Sequence, residues 1–260
     1  MAQKALLLID GDLVTLDLPS PETNVVAGVP WGRFDHLFTP AYWRVRAEMA
    51  DRSGWYRVHK IGTSLRDEVA VCLLGGYGMR AEVGLSAFTH LKRHGLLSAA
   101  ANEHELELAL REPMLIGKKA IRYRYPRQKA RYLRNALRKL ETEPTPSETS
   151  DFRAWLMTFD GIGPKTASWI TRNYMSSDSV AILDIHVFRA CVLTGLFKAS
   201  DSVATGYFRL EKRLVQFAAN LGVKLSVLDA ILWDEMRQMS AVAINAMSRG
   251  GNPIRPHSSP

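Results

Sequence analysis

Lys165 and Asp184 are the two side chains whose setting points to chemistry. Lys165 follows Gly161-Ile162-Gly163-Pro164 and precedes Thr166. Two glycines let backbone N–H groups approach an anion without Cβ interference, and a helix opening at Pro164 aims its positive end at the same place. Asp184 stands nineteen positions beyond Lys165, within Leu183-Asp184-Ile185-His186. An amine beside a bound backbone phosphate, with a carboxylate returned by the next segment, suits chemistry at the sugar of a nucleic acid. Singly, Lys165 reads as a solvated first-turn lysine and Asp184 as a helix cap. Together they point to catalysis, which requires both groups to reach one substrate. His186 reads as structural.

The elements that must position them follow from periodicity. Phe152, Trp155, Leu156 and Phe159 make the i, i+3, i+4, i+7 stripe of an amphipathic helix. Asp160-Gly161 stops that helix, and Pro164 suits the first position of the next, which turns Ala167, Trp169 and Ile170 inward. Upstream, residues 5–18 predict a β-hairpin around Asp10-Gly11. Residues 19–40 are turn-rich, and a helix is expected from Ala41 to about Asp51. Residues 53–65 suit a loop or a short strand pair. A helix capped by Ser64 runs to Leu74 and breaks at Gly75-Gly76-Tyr77-Gly78-Met79, and a second spans Ala81 to His94. Glu103–Arg111 is a short helix, Glu141–Ser150 a polar linker, and Ala190–Phe197 a helix ended by Gly195. Residues 203–221 and 225–237 are amphipathic helices. A further helical stretch covers 236–247, and 248–260 is a Gly/Pro/Ser tail expected to be disordered.

Charge is concentrated. The chain carries a net +8, yet residues 117–140 alone hold ten Lys/Arg and no acid. The rest is therefore slightly acidic, and the basic stretch, interleaved with Tyr123, Tyr125 and Tyr132, suits a phosphate-lined groove. Cys72 and Cys191 are the only cysteines. Two thiols exclude a four-thiolate iron–sulfur site and give no zinc pattern. No apolar run reaches the ~20 residues that span a bilayer. The expectation is a cytoplasmic monomer, nucleoid-associated through DNA.

The turn, read as hhxxhxGhGxxTA through Leu156, Met157, Phe159, Gly161, Ile162, Gly163, Thr166 and Ala167, together with GIGPKTASWITRN and AILDIHVFR, resembles the helix-hairpin-helix (HhH-GPD) DNA glycosylase superfamily. It is most similar to the archaeal-type 8-oxoguanine DNA glycosylase/AP lyases. RYPRQKARYL and LSVLDAILWDEMR resemble two further helices of those enzymes. The resemblance covers roughly residues 64–240. It implies a mainly α, two-lobed fold with a small N-terminal β-hairpin extension: residues 1–62 as that extension, 63–247 as the helical core with its hairpin at 152–175, and 248–260 as tail.

It also implies roles. Lys165 would attack C1′ of an extruded nucleotide, with Asp184 stabilising the oxocarbenium charge, and β-elimination would follow. Gly161, Ile162, Gly163 and Thr166 would hold the DNA phosphate. Arg124, Arg127, Gln128, Lys129 and Arg131 would line its backbone. Tyr77 or Met79 would be the wedge that fills the gap left by the flipped base. Trp169, Trp233 and Asp234 would form the base pocket. No cofactor is expected beyond a possible monovalent cation at the hairpin, and the partner is double-stranded DNA bearing a damaged or modified base. Two departures stand out: the resembled enzymes read 8-oxoguanine with their extreme C-terminus, whereas this sequence ends in SRGGNPIRPHSSP, and the N-terminal sixty residues have no counterpart in those compact enzymes. They leave open a specificity for bulky modified bases of phage DNA, as in anti-phage defence. A non-catalytic hairpin module that only binds DNA is the remaining alternative.

Overall fold

The computed structural model describes residues 1–54, 63–76 and 78–239. The chain divides into two compact units, one made of residues 1–59 with 178–260 and the other of residues 60–177. The N-terminal stretch thus shares one compact body with residues from 178 onward. The expected helix beyond 239 and the tail lie outside the described residues, as does most of the 53–65 segment.

In the first unit, β1 (Gln3–Ile9) pairs antiparallel with β2 (Asp12–Leu18) around Asp10-Gly11, as expected. Ala5, Leu7 and Ile9 alternate inward with Leu18. The turn-rich stretch contains a short pair, β3 (Asn24–Val26) with β4 (Val29–Pro30), and ends at α1 (Pro40–Ser53). Thr39 caps α1 by accepting from the N–H of Tyr42 at 3.0 Å. The unit is completed by α8 (Ile185–Leu193), α9 (Val203–Leu221, kinked at Gly206) and α10 (Leu225–Gln238). Its core joins residues from both ends of the sequence: Trp43, fully buried, lies in one cluster with Val187, Phe217 and Leu228. Trp43 Nε1 donates to Thr194 Oγ1 at 2.8 Å at the end of α8, and Tyr42 and Arg46 both donate to Glu235 on α10. Helix α1 therefore braces two helices through residues 151 to 193 positions later in the chain.

The second unit runs α2 (Leu65–Leu74), α3 (Ala81–Arg93), α4 (Glu103–Arg111), β5 (Met114–Ile116), β6 (Lys119–Ile121), α5 (Pro126–Thr142), α6 (Thr149–Leu156) and α7 (Pro164–Met175). Ser64 caps α2 as predicted, and Asn102 with Glu105 forms a capping box on α4. The basic stretch is not one helical entry. A two-residue turn at Gly117-Lys118 closes the β5–β6 hairpin first, because Gly117 takes a φ of +60° that starts no helix. Only from Pro126 onward does the basic segment become helical. The core packs Phe152, Leu156, Ala167 and Ile170 against Leu73, Leu74 and Leu133. Among the described residues no single helix is long and apolar enough to cross a membrane.

Candidate functional site

The second unit carries the hairpin. Helix α6 ends at Leu156, three residues earlier than its apolar stripe suggested. The chain then tightens, with the N–H groups of Thr158 and Phe159 donating to the carbonyls of Trp155 (3.0 Å) and Leu156 (3.1 Å). Phe159 and Ile162 stay buried and pin the turn from inside. Asp160 is held from outside by the Asn135 amide at 2.9 Å.

The two glycines have different reasons. Gly161 takes φ +79°, and a Cβ there would collide with the Tyr132 ring, so both backbone and space demand glycine. Gly163 takes an ordinary extended conformation, φ −93°, and a Cβ would meet nothing within 4 Å. Nothing inside the chain requires glycine at 163. What it does is leave bare the N-terminus of α7, whose first N–H groups have no partner in the helix ladder and whose dipole favours an anion. Pro164 opens that helix, and Ala167 makes its first ladder bond back to Gly163 at 2.9 Å.

Lys165 sits in the first turn of α7, half-buried, with Nζ 6.0 Å from the centre of the Trp169 ring one turn on. Trp169 is also half-buried, so the lysine stem and the indole cover one another. Thr166, the next residue, lines a cavity of about 410 Å³ with Gly161, Gly76, Gln128, Lys129 and Cys72. Burial, and then Glu68, pushes the Cys72 thiol up, against the pull of the Lys165 charge. Glu68 itself is fully buried on α2 and accepts from the Asn173 amide of α7 at 3.4 Å.

The five expected backbone contacts separate into two kinds. Arg124, Arg127, Gln128 and Arg131 are exposed. Arg124 lies against the Tyr125 ring and Arg131 against that of Tyr132. Gln128 donates to the Tyr132 hydroxyl at 3.0 Å, which fixes the ring that Gly161 accommodates. Lys129 differs: its Nζ turns inward to the Gly75 carbonyl at 3.3 Å, and burial holds the ammonium below the usual lysine range. Met79, the other wedge candidate, packs half-buried on the core of this unit. Tyr77 lies outside the described residues.

The first unit carries Asp184. It is the N-cap of α8, and its Oδ1 accepts from the N–H groups of His186 (2.8 Å) and Val187 (2.9 Å). Capping is therefore done by the aspartate and not by His186, and a half-buried carboxylate is fixed in orientation at a positive helix end. His186 Nδ1 is buried with no hydrogen-bond partner, and its ring meets Trp233 edge-on at 6.4 Å. Trp233 packs half-buried on the core, with the Arg237 guanidinium 4.9 Å from its ring. Asp234 is engaged on its own helix, one oxygen with Arg237 (3.0 Å) and the other with Gln238 (2.8 Å). Its carboxylate thus has partners on α10.

The structure brings Lys165, Trp169, the hairpin and the basic helix together in one unit, and Asp184 with Trp233 in the other. Sequence reading missed Tyr207, Glu211 and Asp229, which bind the backbone leading to Asp184. Asp229 lay within LDAILW, a segment singled out for its tryptophan. Acidic residues on an apolar helix face were the signal available.

Comparison with known proteins agrees with this geometry. The sequence model of the family Ogg-HhH, 8-oxoguanine DNA glycosylase, matches residues 54–223. An 8-oxoguanine DNA glycosylase/AP lyase of Saccharolobus islandicus is 29% identical over 202 residues, covering 73% of this chain and 91% of that protein. The enzyme of the same name from Saccharolobus solfataricus is 27% identical over the same span. The crystal structure of the 8-oxoguanine DNA glycosylase of Thermotoga maritima superposes with a TM-score of 0.57 at 26% identity, covering 75% of this chain and 93% of that one. A Methanocaldococcus jannaschii 8-oxoguanine glycosylase/lyase, solved with DNA containing 8-oxoguanine, shares the fold at TM-score 0.55 and 22% identity, over 74% of this chain and 92% of its own.

Proposed function

This chain belongs to the 8-oxoguanine DNA glycosylase (Ogg-HhH) family, and from that membership we propose that it is a DNA glycosylase with AP lyase activity. It draws a damaged purine of the 8-oxoguanine type out of double-stranded DNA and removes it from its deoxyribose. Extrusion costs a few kcal/mol, least for a base that is already poorly paired.

The hairpin holds the phosphate through the open end of α7, and the exposed arginines of α5 line the backbone. The bond from C1′ to the base breaks with its electron pair leaving on the base. Positive charge that builds on C1′ and O4′ is met by the Asp184 carboxylate, already oriented by the N–H groups of α8. Lys165 Nζ forms the new bond to C1′ with its lone pair and gives up a proton to solvent. The C1′–O4′ bond then breaks with its electron pair leaving on O4′, which takes up a proton as the nitrogen loses its second and becomes an imine. Loss of a proton from C2′ then expels the 3′ phosphate oxygen with the C3′–O electron pair, nicking the strand. No redox cofactor enters these steps. A monovalent cation on the hairpin carbonyls, and action as a monomer, belong to the same reading.

The observation that carries it is a half-buried lysine in the first turn of α7, directly behind a glycine that nothing inside the chain requires. Borohydride reduction tests it. A covalent adduct should form with duplex DNA containing 8-oxoguanine, and Lys165→Gln should abolish it. Base release without any adduct would leave a glycosylase that uses water. Salt-dependent binding with no abasic product from any modified DNA would leave a hairpin module that only binds.

A further inference from the structure

Residues 180–183 lead to Asp184 as a buried stretch that is neither helix nor strand, and none of the described strands pairs with it. Its backbone is instead bound by side chains. Glu211 Oε1 accepts from the N–H of Ala181 at 3.0 Å, and Asp229 Oδ2 accepts from the N–H of Ile182 at 2.8 Å. The Tyr207 hydroxyl donates to the Ala181 carbonyl at 2.7 Å and accepts from the N–H of Leu183 at 3.4 Å. The Asp184 N–H closes back on the Ile182 carbonyl at 2.9 Å. Helices α9 and α10 thus do with three side chains what a neighbouring strand would do with its backbone.

Two of those side chains are carboxylates, 5% and 2% exposed. Burying a carboxylate is a costly way to satisfy an amide, and such groups are weak contributors to net stability. Their use here fits a demand for position. The Ile182 peptide is gripped on both sides, by Asp229 at its N–H and by Asp184 at its carbonyl, so movement of Asp229 is transmitted to Asp184 through one residue.

We propose that Tyr207, Glu211 and Asp229 are positioning residues that set the reach of Asp184 toward the reacting sugar. The proposal rests on the glycosylase reading above. None of the three touches the substrate in this role; they act through the backbone.

The test compares Glu211→Leu and Asp229→Leu, which remove the acceptors, with Glu211→Gln and Asp229→Asn, which keep an oxygen in place. Single-turnover base release is measured at saturating DNA, alongside DNA affinity, the melting temperature and amide exchange at Ile182 and Leu183. The leucine variants should lose about 10²-fold in rate, the scale of a 1 Å misplacement, with affinity little changed and those amides exchanging faster. The amide variants should recover most of the rate. If the leucine variants do not fold, Tyr207→Phe, which removes only the hydroxyl and with it both of its hydrogen bonds, carries the test, with a rate loss of about tenfold expected. A lower melting temperature with wild-type turnover per folded molecule would overturn the proposal while leaving the glycosylase intact. A wild-type protein that releases no base from any DNA would overturn the reading beneath it, and the proposal with it.

Discussion

The two halves of the candidate chemistry are built by opposite strategies. Around Lys165 most is local: the turn, the opening of α7 and Trp169 lie within nine residues, with Tyr132 and Asn135 of α5 steadying the turn from outside. Around Asp184 little is local beyond its own cap. The segment before it is held by α9 and α10, and α1 in turn braces α10 through Tyr42 and Arg46 and the end of α8 through Trp43. The lesson is that a lysine at a helix opening can be set in place largely by backbone conformation near it in sequence. A carboxylate that must stabilise developing charge needs a rigid frame, because electrostatic stabilisation depends on groups that do not reorganise during reaction.

Substitutions that strike one half and spare the other separate these strategies. The largest effect expected after loss of Lys165 itself is at Asp184→Asn. Asparagine caps a helix about as well as aspartate, so the melting temperature should hold, while base release falls by about 10²–10³-fold, the range for losing one charge-stabilising group. Unchanged release would remove Asp184 from the chemistry. Gly161→Ala comes next, because it forces a side chain into a left-handed backbone and against the Tyr132 ring. A stability loss of about 1–3 kcal/mol is expected in denaturant unfolding.

Asp67→Asn probes the frame of the second unit. Burial raises the Asp67 carboxyl, but hydrogen bonds from Lys92 (2.7 Å) and Thr63 outweigh it and hold the group below the usual carboxylate range. A depressed pKa contributes stability that is present above the unfolded value and lost as pH falls through the folded one. The substitution should therefore cost about 1.5–3 kcal/mol at neutral pH, as for a hydrogen bond to a charged group. The gap to wild type should begin to narrow below about pH 4, where the free carboxyl titrates, and close only once pH has fallen below the lower folded value. A gap that is flat with pH would mean the charge contributes nothing.

Gly163→Ala sharpens the contrast between the glycines. With open space around its Cβ and an ordinary backbone conformation, it should alter stability by less than about 0.5 kcal/mol. DNA affinity should nevertheless fall measurably in a titration. Equal affinity would mean that no phosphate approaches that atom. The smallest effect belongs to Arg131→Ala, which should lower affinity modestly and reduce the slope of log K against log salt by about one.

Much of the local architecture could be read in advance. The stripe of Phe152, Trp155 and Leu156, the Asp10-Gly11 hairpin and the Ser64 cap follow from side-chain periodicity and turn chemistry, which act over a few residues. The Gly117 turn was hidden by the charge around it, since lysines that bind anions also sit in strands. Sequence reading placed Lys129 with its arginine neighbours, yet the fold turns it inward onto Gly75.

What the sequence by itself determined is the set of short-range devices: a glycine turn, a helix opening at Pro164, a lysine behind it and an aspartate that caps the next helix. Each depends only on backbone geometry within one or two turns. What only the tertiary structure decided is which residues hold that aspartate still. Glu211 and Asp229 reach its segment from 30 and 47 positions away, and α1 joins their unit from the far end of the chain. Such contacts are set by which apolar faces meet in the core, and no local pattern records that meeting.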